Sequence, residues 1–264
     1  MVAVEKIRES KNIEGVNKDF YNKLYKKRNP LIQLIYSFIS YDQQSKSKYN
    51  YKKIKYVLDQ YKHTDDFRFL DYGFGHGSLL LKIPKKKSLF GCDISFEAVD
   101  NFPHVAKLLG KEVKTFTPNQ LLQQKIKFHM ISMSHVLEHV EDDISLLKEL
   151  FFLLEQGGYV LINVPVNEVW EDPKHVRKYT AESLKFLMES LGFKIISIDH
   201  KNRLSAFLLT NERVKKTNFI KKIFFRSFRF FMALMPLSFL ESIDSIISNK
   251  YELQHLIVLA RKND

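Results

Sequence analysis

The sequence predicts an α/β fold in which short apolar strands alternate with amphipathic helices. Three observations predict it. Residues 67–70 form an apolar run that ends in Asp71 and then in Gly73, Gly75 and Gly77, as a strand feeding a tight turn does. A second apolar run, 88–92, ends in Asp93, 22 positions beyond Asp71. Residues 144–154 carry apolar side chains at helical spacing and lead through Gly157 and Gly158 into the β-branched run 159–165. Sheets built this way bind ligands beyond the carboxyl ends of their strands.

The composition narrows the class. A chain of 264 residues with 45% apolar residues can bury a sizeable core, which excludes a disordered chain. Residues 1–28 lack the apolar stretch of a signal peptide, and no apolar run reaches the roughly 18 residues of a membrane span. Cys92 is the single cysteine, so no internal disulfide forms, and a cytoplasmic location is expected. The net charge of +12 is uneven. Residues 1–62 carry +8 and 201–231 carry +8, whereas 63–200 carry −3. A nucleic-acid footprint would include the central region, so nucleic acid is not the expected partner.

In chain order, 17–40 and 48–62 read as helices, with Phe20, Leu24, Tyr25, Leu31, Leu34, Ile35 and Phe38 at helical spacing. Residues 41–47 read as a polar loop, and Tyr49, Tyr51 and Tyr56 as packing residues able to line a site. After the glycines, 79–83 reads as a helix start whose unpaired N–H groups would face an anionic ligand group. Ser95 is placed to cap a helix. Residues 112–116 form a third strand, followed by Thr117 and Asn119, and 127–133 a fourth. Beyond the fifth strand lies a loop with Trp170, Glu171, Asp172, His175, Arg177 and Tyr179, then a helix capped by Thr180. Residues 192–198 and 251–260 give strands six and seven. The 50 residues between them hold Lys222, Arg226 and Arg229 on one helical face among phenylalanines, a pattern of helices that lie on anionic membranes.

The stretch Asp71-Tyr72-Gly73-Phe74-Gly75-His76-Gly77 resembles motif I of the class I S-adenosylmethionine (SAM) methyltransferases, acid-x-G-x-G-x-G. Ser78 stands where a dinucleotide fingerprint needs glycine. Leu137-Glu138-His139-Val140 resembles the "LEHV" segment of ubiquinone-biosynthesis and related small-molecule methyltransferases, and His175-Val-Arg177-Lys-Tyr179-Thr180 resembles a segment of quinone and saccharide methyltransferases. The resemblance implies a Rossmann-like, seven-stranded, mostly parallel sheet with the last strand antiparallel. A helical N-terminal cover (1–64) precedes the core (65–200). A basic helical insertion (201–250) follows, and the last strand lies in 251–264. It implies SAM held by Asp71, Gly73, Gly75, Gly77, Asp93, Ser134 and His135, with Asp93 on the ribose. Thr117 or Asn119 would meet the adenine.

The same resemblance makes His139 the first choice for a base and His175 the second, and places Trp170, Arg177 and Tyr179 at the acceptor. A neutral imidazole can take a proton from an attacking hydroxyl near pH 7. The expected acceptor is a hydroxyl, less readily an amine, of a small or lipid-linked molecule such as a saccharide or quinone precursor. Contact with an anionic membrane through 219–240, on the inner face, is the expected peripheral interaction. Two other classes share parts of the pattern: a nicotinamide-dependent oxidoreductase, opposed by Ser78, and a non-catalytic membrane-surface protein, opposed by the intact acid and glycine set. His135 to His139 also spells H-x-x-E-H, a zinc-peptidase signature that needs a helix. A strand exit opposes it, and no metal is expected.

Overall fold

The computed structural model describes residues 19–26, 29–64, 66–169, 172–213 and 219–263. One sheet organises them. Its strands are β1 (Arg68–Tyr72), β2 (Ser88–Cys92), β3 (Val113–Phe116), β4 (Phe128–Ser134), β5 (Leu154–Pro165), β6 (Phe193–Lys201) and β7 (His255–Lys262). They pair in the order β3-β2-β1-β4-β5-β7-β6, and β7 alone runs antiparallel to its neighbours. This is the seven-stranded, mostly parallel sheet expected from the sequence.

Side chains alternate across it. Phe69, Met130, Leu161 and Leu259 enter one apolar layer, and Leu70, Ile131, Val160 and Val258 the other. Helices α1 (Pro30–Ile39), α2 (Tyr41–Gln60) and α3 (Phe96–Lys107) lie on the first side, where Ile54, Val57, Phe102 and Val105 meet the sheet. Helices α4 (Pro118–Gln123), α5 (Asp143–Leu153) and α6 (Ala181–Ser190) supply the second, through Leu121, Leu147, Leu150 and Leu184. Both faces are therefore covered, which is why the strands read as continuous apolar runs. Ser95 and Thr180 cap α3 and α6 as expected, their hydroxyls accepting from the Ala98 and Ser183 amides.

Three local expectations are corrected. Residues 41–47 are not a loop: they form the first turns of α2, whose polar residues face inward. No helix follows the glycines. Residues 78–83 make hydrogen-bonded turns, and Pro84 stops them, because its ring removes a donor and disfavours a helical residue before it. The ammonium of Lys111 takes up the carbonyls of Leu81 and Ile83 instead. The sixth and seventh strands run later than expected, ending at Lys201 and Lys262.

The chain between them forms α7 (Arg203–Arg213), α8 (Phe219–Leu234) and α9 (Leu237–Ile246). These pack on α2 around Tyr41, Leu204, Leu208, Met232 and Leu240. Lys48 on α2 donates to the carbonyls of Ala233 and Met235 at 2.6 Å each, filling acceptors at the end of α8. Among the described residues, no helix is long and apolar enough to cross a membrane.

Candidate active site

The glycine turn at the end of β1 is the fixed point. Gly73 has φ +77°, and a Cβ there would lie 2.1 Å from the Val136 side chain, so only glycine admits this approach. Its N–H donates to the Cys92 carbonyl at 2.7 Å. Asp93, at the end of β2, binds the same turn: Oδ2 accepts from the Gly75 amide and Oδ1 from the Ser95 amide, both at 2.9 Å.

Two cavities meet at this turn. The larger, of about 710 Å³, is walled by Asp71, Gly73, Gly75, Ser134, His135, His139, Glu168 and His175, and by Asp42, Lys46 and Asn50 of α2. The smaller, of about 520 Å³, runs between Asp93, Ile94, Pro118, Asn119, Leu122 and Leu146. Tyr21, Tyr25, Gly73, His135 and His139 border both. Tyr25 lies over the turn, its ring 4.8 Å from that of His76, and a Cβ on Gly75 would meet its hydroxyl at 2.7 Å.

The histidines that border the larger cavity form a connected group. His139 Nδ1 lies 3.2 Å from the Lys174 carbonyl, which can only accept, so Nδ1 carries the proton and Nε2 faces the Tyr21 hydroxyl at 3.4 Å. His175 Nδ1 lies 2.8 Å from Glu168 Oε2, and the His139 and His175 rings are 4.7 Å apart. His135, with φ +55°, pairs Nε2 with His255 Nδ1 at 3.1 Å. Glu138 is 1% exposed, and its carboxylate lies 3.3 Å from His135 Nδ1 and 3.9 Å from His139 Nε2. Donor atoms of Glu138, His139 and His175 lie within 4.8 Å of one another. The segment leaves β4 and makes only a short 3-10 turn at Leu137–His139, so the helix that a peptidase H-x-x-E-H motif needs is absent from it.

Burial sets the charges. It lowers His135, His139 and His255, which are therefore neutral imidazoles at pH 7. Burial also lowers the Lys46 ammonium, against the pull of Asp42, Glu138 and Glu168. It raises Asp71 to about 8 and Asp93 to about 6; amides from Ser95 and Gly75 hold Asp93 lower.

The structure thus brings together Asp71, Gly73, Gly75, Ser134, His135, His139 and His175, with Asp93 beside them. Gly77 does not reach the cavities; a Cβ there would strike Phe102. Arg177 and Tyr179, expected at the acceptor, are engaged elsewhere in this structure. Both turn to Asp143 at the start of α5, Arg177 as an ion pair and Tyr179 by a 2.7 Å hydrogen bond, and neither borders a cavity. Asn119, but not Thr117, lines the smaller cavity, and Tyr49 is a core residue. Trp170 lies outside the described residues. Sequence reading missed Lys46, Asn50, Tyr21 and Glu168. Gln43, Lys46, Ser47 and Asn50 fall at i, i+3, i+4 and i+7, so the signal in the sequence is a polar face at helical spacing running through 41–47.

The sequence of residues 26–198 matches the family model described as a methyltransferase domain. The chain belongs to this methyltransferase family. No curated protein matches it. Among solved structures, it is similar to magnesium protoporphyrin IX methyltransferase of Synechocystis with bound SAM, at TM-score 0.57 and 12% identity over 95% of this chain and 97% of that one. It is similar to YcgJ of Bacillus subtilis at TM-score 0.52 and 15% identity over 81% and 99%. The [4+2]-cyclase SpnF gives TM-score 0.53 and 16% identity over 80% of each chain, so the fold alone does not name the reaction. The methyltransferase is SAM-dependent and its sheet is Rossmann-like, which removes the nicotinamide alternative. Its cavities suit that cofactor: a glycine cradle that a Cβ would fill, a buried carboxylate at the end of β2, and an apolar slot between Pro118, Leu122 and Leu146.

Proposed function

We propose that this methyltransferase transfers the methyl group to a hydroxyl of a small, polar acceptor, with His175 as the base. When bound, SAM supplies an electrophilic methyl on a sulfonium. Asp93 would hold the ribose hydroxyls with its remaining lone pairs, and the turn around Gly73 and Gly75 would cradle the methionine portion. Ile94, Pro118 and Leu122 would flank the adenine.

The observation that carries the reading is the His175–Glu168 contact of 2.8 Å in the cavity that also contains the glycine turn. The carboxylate keeps the proton on Nδ1, leaves the Nε2 lone pair for an acceptor hydroxyl and stabilises the imidazolium that forms. His139 is held in the same tautomer by the Lys174 carbonyl, but has Tyr21 at its Nε2 and no carboxylate on its Nδ1. Its role is to orient the hydroxyl. Lys46 of α2 borders the same cavity and offers a hydrogen-bond donor to the acceptor.

Polar walls from Gln43, Lys46, Asn50, Glu168 and Asp172 suit a hydroxylated acceptor, a saccharide or nucleotide-sugar, free or lipid-linked, better than an apolar quinone precursor. Titration calorimetry with SAM and S-adenosylhomocysteine, followed by transfer of labelled methyl to a panel of sugar, nucleotide-sugar and quinol acceptors, tests this. Binding of both with methylation of sugars supports it. Methylation of quinols alone would reverse the acceptor assignment, and absence of SAM binding would remove the reading.

A further inference from the structure

Helix α1 is built inside out. Gln33 and Ser37 point inward, where Asn101 Nδ2 donates to Gln33 Oε1 at 2.5 Å and the Ser37 hydroxyl reaches the His76 carbonyl at 3.2 Å. Leu31, Ile32, Ile35 and Phe38 point outward and are 41–59% exposed. Of the apolar positions at helical spacing, Leu34 packs against the core, whereas Leu31, Ile35 and Phe38, with Ile32, form a surface. Large exposed apolar faces on a folded domain mark interaction sites.

Helix α8 lies against α1 and α2 and also leaves apolar side chains exposed. Phe225, Phe228 and Met232 pack inward on the α7–α9 cluster. Phe219, Ile220, Phe224, Phe231 and Leu234 are exposed, 48–77%. Its charges are Lys221, Lys222, Arg226 and Arg229, with no acid. Arg229 turns inward to Asp42 at 2.5 Å and leaves the expected three-residue basic face; Lys221, Lys222 and Arg226 are exposed.

We propose that α1 and α8 together form a face that seats on an anionic lipid bilayer. Apolar side chains of both helices enter the headgroup boundary, and Lys221, Lys222 and Arg226 meet lipid phosphates. Helices of 10 and 16 residues suit lying in the interface rather than crossing it. Charge selects lipid over a second copy of the chain. Helix α8 itself carries no acid, and among the described residues Asp42 and Glu241 are engaged by Arg229 and Lys52, so two copies apposed through α8 would bring like charge together. The face sits one helix layer from the site, since α8 packs on α2 and α7, and Asp42, Lys46, Ser205 and Leu209 of those helices border the larger cavity. The inference stands independently of the acceptor's identity.

Flotation of the full-length protein with vesicles tests it. Binding is expected to vesicles containing phosphatidylglycerol, about tenfold or more weaker to pure phosphatidylcholine, and suppressed by about 0.5 M salt. Two variants probe the two helices separately: Lys221→Glu with Lys222→Glu and Arg226→Glu, and Leu31→Ser with Ile32→Ser and Ile35→Ser. Each should weaken vesicle binding at least about tenfold while circular dichroism and SAM affinity stay as in the parent protein. A parent protein that ignores anionic vesicles, or variants that bind as it does, would overturn the assignment. A dimer that the α1 variant converts to monomer, without vesicle binding by the parent, would make the face a protein interface instead.

Discussion

Asp93 Oδ2 accepts the Gly75 amide at 2.9 Å, so one carboxylate ties the end of β2 to the glycine turn at the end of β1. Its other oxygen holds the Ser95 amide at the start of α3. Asp93 therefore shapes the turn before any ribose arrives. Asp93→Asn keeps one carbonyl acceptor and the side-chain shape but loses the charge. Hydrogen bonds to a charged group contribute about 1.5–3 kcal/mol each, so SAM affinity should fall roughly 10- to 100-fold in calorimetric titration. Unchanged affinity would remove the ribose assignment.

The same carboxyl gives a pH signature with two opposite signs. Burial raises it from 3.8 to about 6. A raised folded-state value means the folded protein binds the proton more tightly than the unfolded chain. Its contribution to stability is fully present below about 4 and is lost as pH rises through about 6. Ribose binding needs the ionised form, so affinity rises over the same interval. Thermal unfolding without SAM, parent minus Asp93→Asn, should show the first trend, and SAM titration from about pH 5 to about pH 7, one unit either side of that value, the second. Trends of the same sign would mean that the ribose does not meet the ionised carboxylate.

The division of labour between the two histidines is testable by kinetics. His175→Ala should lower the single-turnover rate about 10²- to 10⁴-fold with SAM affinity retained, the range for loss of a general base. Glu168→Gln should cost less, because the carboxylate orients the imidazole without taking its proton. His139→Ala should mainly raise the acceptor KM. A larger rate loss for His139→Ala than for His175→Ala would exchange their roles.

Much of this arrangement was legible in the sequence. Strand ends at Asp71 and Asp93, the glycine turn and the exit at Ser134-His135 are local patterns, and a parallel sheet places such strand ends at one edge. What stayed hidden depends on tertiary packing. Lys46 sits in a stretch so polar that it reads as a loop, and Asn50 lies on the expected helix just after it; the two share a helical face that borders the cavity, which only the packing of α2 reveals. Arg177 and Tyr179 have site-like chemistry, yet Asp143, 34 positions before Arg177, captures both. The apolar stripe of α1 gave the right period, but periodicity cannot say which face is inside once Asn101 and His76 offer partners to Gln33 and Ser37.

Gly77 separates folding from binding. Its φ is +72°, and a Cβ would lie 1.8 Å from the buried Phe102 ring. Gly77→Ala combines left-handed strain of roughly 1–2 kcal/mol with overpacking of about 1–3 kcal/mol. Urea denaturation should show a loss of about 2–5 kcal/mol. Gly110 has φ +65° with no neighbour within 4 Å, so Gly110→Ala should lose only the strain, about 1–2 kcal/mol. Equal losses at the two positions would mean that Phe102 yields without cost.

Tyr179 provides the complementary case, a residue with the chemistry of a site and the placement of a brace. Its hydroxyl donates to Asp143 Oδ2 at 2.7 Å, and Arg177 pairs with the other oxygen of the same carboxylate. Asp143 opens α5, where negative charge is favoured by the helix terminus. Tyr179→Phe removes one hydrogen bond from a buried carboxylate and should lower stability by about 1–3 kcal/mol in urea denaturation. Because the ring borders neither cavity, the acceptor KM and the transfer rate should stay within about twofold of the parent, well under the tenfold that 1.4 kcal/mol of lost binding would produce. A KM raised tenfold at unchanged stability would return Tyr179 to the acceptor site and show that the loop from Pro173 to Tyr179 refolds around the acceptor.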